Sequence, residues 1–414
     1  MPVVRSTSIL SWCANSTANM DKKPLNFADR MGEIAPFRVM ELLARAKRLE
    51  AEGRSIIHME VGEPDFTSPE PIIAAAQTAL AEGKTHYTPA LGLPELREAI
   101  SGFYQDRYGE AVSPEQIVIT SGASGALLLA LGTILNPNEE VILADPGYPC
   151  NRHFVRFIEG KSRSIPVTSE SAYQLNAELV AENWHSNTRA AMVASPSNPT
   201  GTIISQAELK AIYDKVARHN GYLIVDEIYH NLTYGEQPPS AVNLGERTII
   251  INSFSKYFSM TGWRLGWLVA SREVVAEIDK LAQNLFIAAP TLAQYAALAA
   301  FKPETIAELE QRRITFQQRR DYLLPELQKL GFKISQNPEG AFYLYADCTA
   351  WGMSSTELAD RLLEEAGVGI TPGNDFGDFR AEEHVRIAYT TSLEKLKEAV
   401  RRIADFRESL GLTS

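Results

Sequence analysis

Lys256 stands in the run SFSKYFSMTGWRLGW, Ser253 to Trp267, among small and aromatic residues, with Arg264 eight positions further on. A lysine whose amine attacks a carbonyl must be neutral part of the time, and burial or a neighbouring cation lowers its pKa enough for that. Phe254, Tyr257 and Phe258 could supply apolar walls, and Arg264 could both hold an anion and disfavour charge on the lysine. The chemistry suggested is imine formation with a carbonyl cofactor. A lone lysine after a serine turn would more simply be a surface residue, so the other loops decide.

Four loops fall where apolar runs end. In TSGASGAL, Thr120 to Leu127, a strand meets a small-residue turn and a helix start. There Gly122, Ala123 and Ser124 could direct backbone amides and a hydroxyl at a phosphate on the helix dipole. The run does not match the dinucleotide fingerprint G-x-G-x-x-G. In ADPGYPCN, Tyr148 follows a Pro-Gly turn, where it could stack on a planar ring or serve as a half-buried turn residue. In SPSNPTG, Asn198 lies between two prolines, either stiffening the loop or holding an amide toward a ring hydroxyl. In IVDEIYH, Asp226 closes an apolar strand. A buried acid needs a partner, and a protonated pyridine nitrogen would be one. Tyr229 could donate to a ring oxygen, whereas Glu227 and His230 read as loop solvation or structural hydrogen bonds. Lysine, acid, phosphate cradle and stacking ring together are what pyridoxal 5′-phosphate needs.

The elements that must position these loops alternate in type. Helices are predicted over 71–80, 93–108, 122–135 and 206–218, and short apolar strands over 116–120, 140–144, 190–194, 222–226 and 248–252. Such alternation implies an α/β fold, a mostly parallel sheet with helices on both faces and its ligand at the carboxyl ends of the strands. Elsewhere the expectation is a helix over 37–53, a strand over 55–61, a long helix over 305–330, strands over 332–335, 341–346 and 385–388, and helices over 355–366 and 393–410. The alanine-rich stretch 285–301 reads as buried helix. The division expected is a flexible leader over 1–30, or a start at Met20, then residues 31–69 and 305–414 forming a smaller α+β domain beside a large cofactor-binding domain over 70–304.

At 414 residues and 45% hydrophobic content, the chain can bury a large core. A net charge of −11 disfavours nucleic acid as a partner, and no apolar run is long enough to span a membrane. Cys13, Cys150 and Cys348 are odd in number and widely spaced, which points to a reducing cytoplasm and to no zinc or other metal site.

On SPSNPTG, VDEIYH and SFSKYFSMTGWRLGW, in this order and spacing, the chain from about Gly32 to Leu410 resembles the class I/II aminotransferases of pyridoxal-phosphate fold type I. The resemblance implies an enzyme that moves an amino group between an L-amino acid and a 2-oxo acid by a ping-pong mechanism. It makes Lys256 the imine-forming lysine, Asp226 the partner of the pyridine nitrogen, and Asn198 and Tyr229 the partners of the ring hydroxyl. It gives the phosphate to Gly122, Ala123, Ser124, Ser253 and Arg264, and ring stacking to Tyr148. Tyr87, in HYTPALGLPELR, matches a tyrosine that reaches the phosphate from the other subunit, implying a homodimer with shared sites. Arg386, in HVRIAY, matches the arginine that grips the substrate α-carboxylate bidentately, with Gly62 close to that carboxylate.

Two other readings remain at this stage: a carbon–sulfur β-lyase or related synthase on the same scaffold, and a non-catalytic effector-binding domain. A lyase would release ammonia without an oxo-acid acceptor; an effector domain would need a DNA-binding module. Neither side-chain cation of the dicarboxylate-specific relatives is visible, since 284–295 holds no basic residue and Ser124 stands in the phosphate loop. The expectation is neutral or apolar substrates.

Overall fold

The runs IVIT, EVILAD, TRAAMVA, YLIVD and TIIINS carry few charges because both faces of the sheet they build are covered by helices. The computed structural model describes residues 25–412. Met1–Ala35 and Pro36–Ser414 are separate units. Within the first, the described residues hold one 3-10 turn, Asp29–Gly32; of the leader expected over 1–30, residues 1–24 lie outside the described residues.

In the second unit the strands are β1 Ile57–His58, β2 Ile117–Thr120, β3 Glu140–Asp145, β4 Lys161–Pro166, β5 Thr188–Ala194, β6 Tyr222–Asp226, β7 Thr248–Ser253, β8 Gly266–Val269, β9 Tyr343–Asp347, β10 Val368–Gly369, β11 Thr371–Pro372 and β12 His384–Ala388. The helices are α1 Arg38–Ala51, α2 Glu70–Ala81, α3 Pro94–Tyr108, α4 Gly122–Ile134, α5 Cys150–Phe157, α6 Ala177–Glu182, α7 Gln206–Arg218, α8 Arg272–Leu285, α9 Thr291–Leu298, α10 Pro303–Lys329, α11 Ser355–Arg361 and α12 Leu393–Ser409.

Seven strands form one sheet in the order β2-β8-β7-β6-β5-β3-β4. All are parallel except β8, which runs antiparallel to β2 and β7. This is the mostly parallel α/β architecture that the alternation of strands and helices implied. A three-stranded antiparallel sheet, β11-β12-β9, and a parallel pair, β1-β10, are built from the chain's two ends. Ile57 pairs with Val368, so a residue before the large sheet is fixed to one far beyond it.

Several expected elements changed. The strand over 55–61 is reduced to Ile57–His58, because beyond His58 the carbonyls turn to other partners. Phe332 to Ser335 is no strand; only Lys333 bridges, to Asp347. The stretch 285–301 is not one buried helix: α8 ends at Leu285, Ile287 adopts φ 64°, and α9 begins after Pro290. Leu285 and Ile287 are exposed. Among the described residues no helix is long and apolar enough to cross a membrane.

Candidate active site

Strands β2, β5, β6 and β7 end at one side of the sheet, and the loops that leave them enclose a cavity of about 510 Å³. Lys256 reaches into it from the turn after β7. Its Nζ donates to the Gly62 carbonyl at 2.7 Å and lies 6.0 Å from the Tyr229 ring centroid and 5.9 Å from that of Phe342. Burial pushes its pKa down to about 8; Glu63 opposes the fall, while Arg386 and Arg264 add to it.

The aromatic neighbours in sequence do something else. Phe254 and Phe258 are fully buried, packed against Trp267 and Phe301, and Tyr257 donates to Glu310 at 2.7 Å. They support the lysine turn from behind, so the apolar walls expected from Phe254, Tyr257 and Phe258 come instead from Tyr229 and Phe342. Adjacent residues in a tight turn face different ways, which a linear motif does not display.

One end of the cavity brings a helix start and a guanidinium together. Ala123 and Ser124, at the start of α4, line it, and the helix has no side-chain cap at Ser121. Its first amides therefore lack a side-chain acceptor. Gly122 has φ 71°, and a Cβ there would lie 2.8 Å from Arg264 Nη2, so glycine lets the guanidinium lie over the helix start. Arg264 donates to the Thr261 carbonyl at 3.1 Å. Ser253 and Ser255 share a hydrogen bond of 2.9 Å on the same wall. Ser255 was not singled out in the sequence, although its place beside Lys256 was the available signal.

Across the middle, Asp226 is buried at the end of β6, with Oδ1 accepting from the Ile228 amide at 3.0 Å. Burial raises its pKa to about 7, an acid with no cation bonded to it among the described residues. Tyr229 is also buried and shares a 2.8 Å hydrogen bond with the Tyr343 hydroxyl. Tyr148 lines the cavity and stands edge-on to Phe37, with ring centroids 6.4 Å apart. Glu227 and His230 are structural: Glu227 accepts from Ser240 Oγ and the Ala241 amide, and His230 Nε2 contacts the Pro238 carbonyl.

At the far end Arg386, on β12, is 3% exposed. Its Nη1 donates to Asn198 Oδ1 at 3.1 Å and its Nη2 to the Glu60 carbonyl at 2.5 Å, while Nε has no partner. The guanidinium lies between the Tyr343 and Phe376 rings, 4.3 and 4.8 Å from their centroids. Gly62 makes this possible, since a Cβ there would come within 1.8 Å of the Tyr343 hydroxyl. Phe37, Val39 and Met40, around the start of α1, form an apolar wall with Val61. Tyr343 and this wall were missed because their neighbours in space are remote in sequence. Tyr87 is 81% exposed and does not line this cavity.

A family model described as "Aminotransferase class I and II" matches residues 54–403. The (5-formylfuran-3-yl)methyl phosphate transaminase of Methanocaldococcus jannaschii is 40% identical, over 94% of this chain and 99% of its own. The valine–pyruvate aminotransferase of Mycobacterium tuberculosis is 38% identical, over 91% and 97%. Among solved structures, an aminotransferase from Mycobacterium tuberculosis superposes with a TM-score of 0.89 at 37% identity, covering 93% of this chain and all of that one. The aspartate aminotransferase of Thermus thermophilus with maleate gives 0.87 at 35%, covering 92% and 100%.

Proposed function

The chain belongs to the class I and II aminotransferases, pyridoxal-phosphate enzymes that pass an amino group from an amino acid to a 2-oxo acid, and from that premise we propose how its cavity divides the work. When bound, the cofactor supplies an electron sink for the substrate α-carbon and a carrier for the amino group between half-reactions. The residues fit such a group: an uncapped helix start beside Arg264, a buried acid without a cation, and a half-buried lysine between them.

Gly122, Ala123, Ser124, Ser253 and Arg264 would hold its phosphate, with Tyr87 of a second copy reaching the same group in a homodimer. Tyr148 would cover the ring, Asp226 would keep the pyridine nitrogen protonated, and Asn198 and Tyr229 would face the ring hydroxyl. Lys256, held partly neutral by burial, takes the substrate α-proton and returns it. Arg386 grips the α-carboxylate, with the Gly62 backbone beside it. Residues 31–69 and 305–414 act as the smaller domain beside 70–304, and the enzyme works in the cytoplasm, a reading that rests on cysteine usage.

The observation that carries this reading is Arg386: buried between two rings with Nε unpartnered, and with Asp375 near enough to interact with it, it offers a desolvated planar cation to a carboxylate that enters the cavity. The substrate side chain lies against Phe37, Val39, Met40 and Val61, which favours neutral and apolar amino acids. The named relatives include both a valine–pyruvate enzyme and aspartate enzymes. A steady-state panel of amino donors against pyruvate and 2-oxoglutarate tests it. Comparable or better kcat/KM for neutral donors is expected; aspartate ahead by orders of magnitude would overturn the substrate reading.

A further inference from the structure

Beyond β1 the chain runs from Met59 to Gly62 with its carbonyls taking alternate partners. Those of Met59 and Val61 accept from the Ala388 amide at 2.8 Å and Thr390 Oγ1 at 3.1 Å, which ties the run to the end of β12. Those of Glu60 and Gly62 accept from two of the cations that line the cavity, Arg386 Nη2 at 2.5 Å and Lys256 Nζ at 2.7 Å. The Glu60 carbonyl also accepts from Thr371 Oγ1 at 2.9 Å, and that hydroxyl is 3.3 Å from Arg386 Nη2. Where Glu60 sits therefore decides where the guanidinium is aimed.

The Glu60 side chain is fully buried, and nothing in amino transfer as described above employs it. Its Oε1 is 2.6 Å from His58 Nδ1, while Oε2 has no partner. Gly369, opposite His58 in the β1-β10 pair, leaves the space: a Cβ there would lie 2.3 Å from Glu60 Oε2. His58 Nε2 is in turn 3.2 Å from Glu50 Oε1 near the end of α1. Burying a carboxylate with one oxygen unsatisfied is costly, and an apolar residue would fill the space at less cost.

We propose that Glu60, anchored by His58, is a positioning residue for the substrate carboxylate: its buried side chain sets the backbone carbonyl that aims Arg386. The proposal rests on the reading of Arg386 as the carboxylate grip. It also carries a pH dependence. His58 sits between Glu60 and Glu50, and the hydrogen bond to Glu60 raises it above the ordinary imidazole value. The anchor is therefore complete at low pH and weakens as pH rises through that raised value. Among the described residues no other charge replaces it: β10 brings only Val368 and Gly369, Arg54 is bound to Glu364, and Arg402 is paired with Glu398 and donates to the Ser55 and Gly367 carbonyls.

The test is KM and kcat of the full-length holoenzyme for three neutral donors, measured across pH. Glu60→Ala should raise KM roughly tenfold for every donor, with kcat within about twofold, as one mis-set hydrogen bond to a charged group would. Glu60→Gln, which still accepts from His58, should restore most of KM, and His58→Gln should remove the rise of KM at high pH. If Glu60→Ala fails to hold cofactor, Gly369→Ala, which crowds Oε2, replaces it and should raise KM in the same way. A wild-type KM in Glu60→Ala or Gly369→Ala, or a fall confined to kcat, overturns the proposal. Arg386→Lys separates the two readings. If it too leaves KM unmoved, the carboxylate grip itself is misassigned; if it raises KM while the Glu60 and Gly369 variants do not, only the anchor fails.

Discussion

The two ends of the cavity hold cations in opposite ways. At the end proposed for the phosphate Arg264 is exposed and lies with the start of α4 and with Ser124, Ser253 and Ser255, all from three short stretches at the ends of the large sheet's strands. At the end proposed for the substrate carboxylate Arg386 is buried between two rings, and its partners Glu60, Asn198, Tyr343, Thr371 and Phe376 come from four separate parts of the chain. An exposed cation needs little support because water still solvates it; a buried one must be met on every side. The first end is therefore a set of motifs, and the second is an assembly that exists only after folding. Damage should differ accordingly: dispersed at the first, concentrated in single residues at the second.

The largest effect lies between the ends. Lys256→Ala should abolish turnover and the visible absorption of the bound cofactor, since no other lysine among the described residues lines the cavity. Retention of both would mean that another group does this work. Asp226→Ala comes next. The protein should fold and still take up cofactor, but kcat should fall by about 10²- to 10³-fold, the usual loss when one electrostatic contact to developing charge is removed. A near-normal kcat would detach Asp226 from the ring nitrogen.

Arg386→Lys tests the buried end directly. It keeps the charge but not the planar fork, and the Tyr343–Phe376 slot suits a flat group. The loss should be on the order of 1.5–3 kcal/mol, roughly 10- to 100-fold in kcat/KM, and equal for all donors because all present the same carboxylate. A loss that varied strongly with the donor side chain would move Arg386 to a side-chain role.

This contrast also explains what the sequence disclosed. Lys256, Asp226 and the α4 start were legible because each lies in a contiguous run at a strand end, where type and spacing survive as a pattern. Most of the large sheet was legible for the same reason. Strand β4, KSRSIP, was not, because as an edge strand it is polar and mostly exposed. Strand β8, only four residues long, was hidden at the end of the lysine motif. Tyr343 and Glu60 were illegible as site residues because what gives each its role is a glycine elsewhere, Gly62 for one and Gly369 for the other.

Tyr343→Phe should have the smallest effect and sharpens the comparison most, because Tyr343 touches both systems. Its ring lies against Arg386 at 4.3 Å, and its hydroxyl is 2.8 Å from that of Tyr229, which faces the middle of the cavity. The substitution removes the hydroxyl alone, in the space that Gly62 keeps open. Loss of one neutral hydrogen bond costs about 0.5–1.5 kcal/mol, so kcat/KM should fall by roughly two- to tenfold. Since the ring under the guanidinium remains, KM should hold and the loss should fall on kcat. Tyr229→Phe should then add little to Tyr343→Phe, because the two hydroxyls act as one pair and their effects are not independent. If Tyr343→Phe instead raises KM with kcat unchanged, the hydroxyl belongs to the carboxylate grip, and the boundary between the two ends lies at Tyr229.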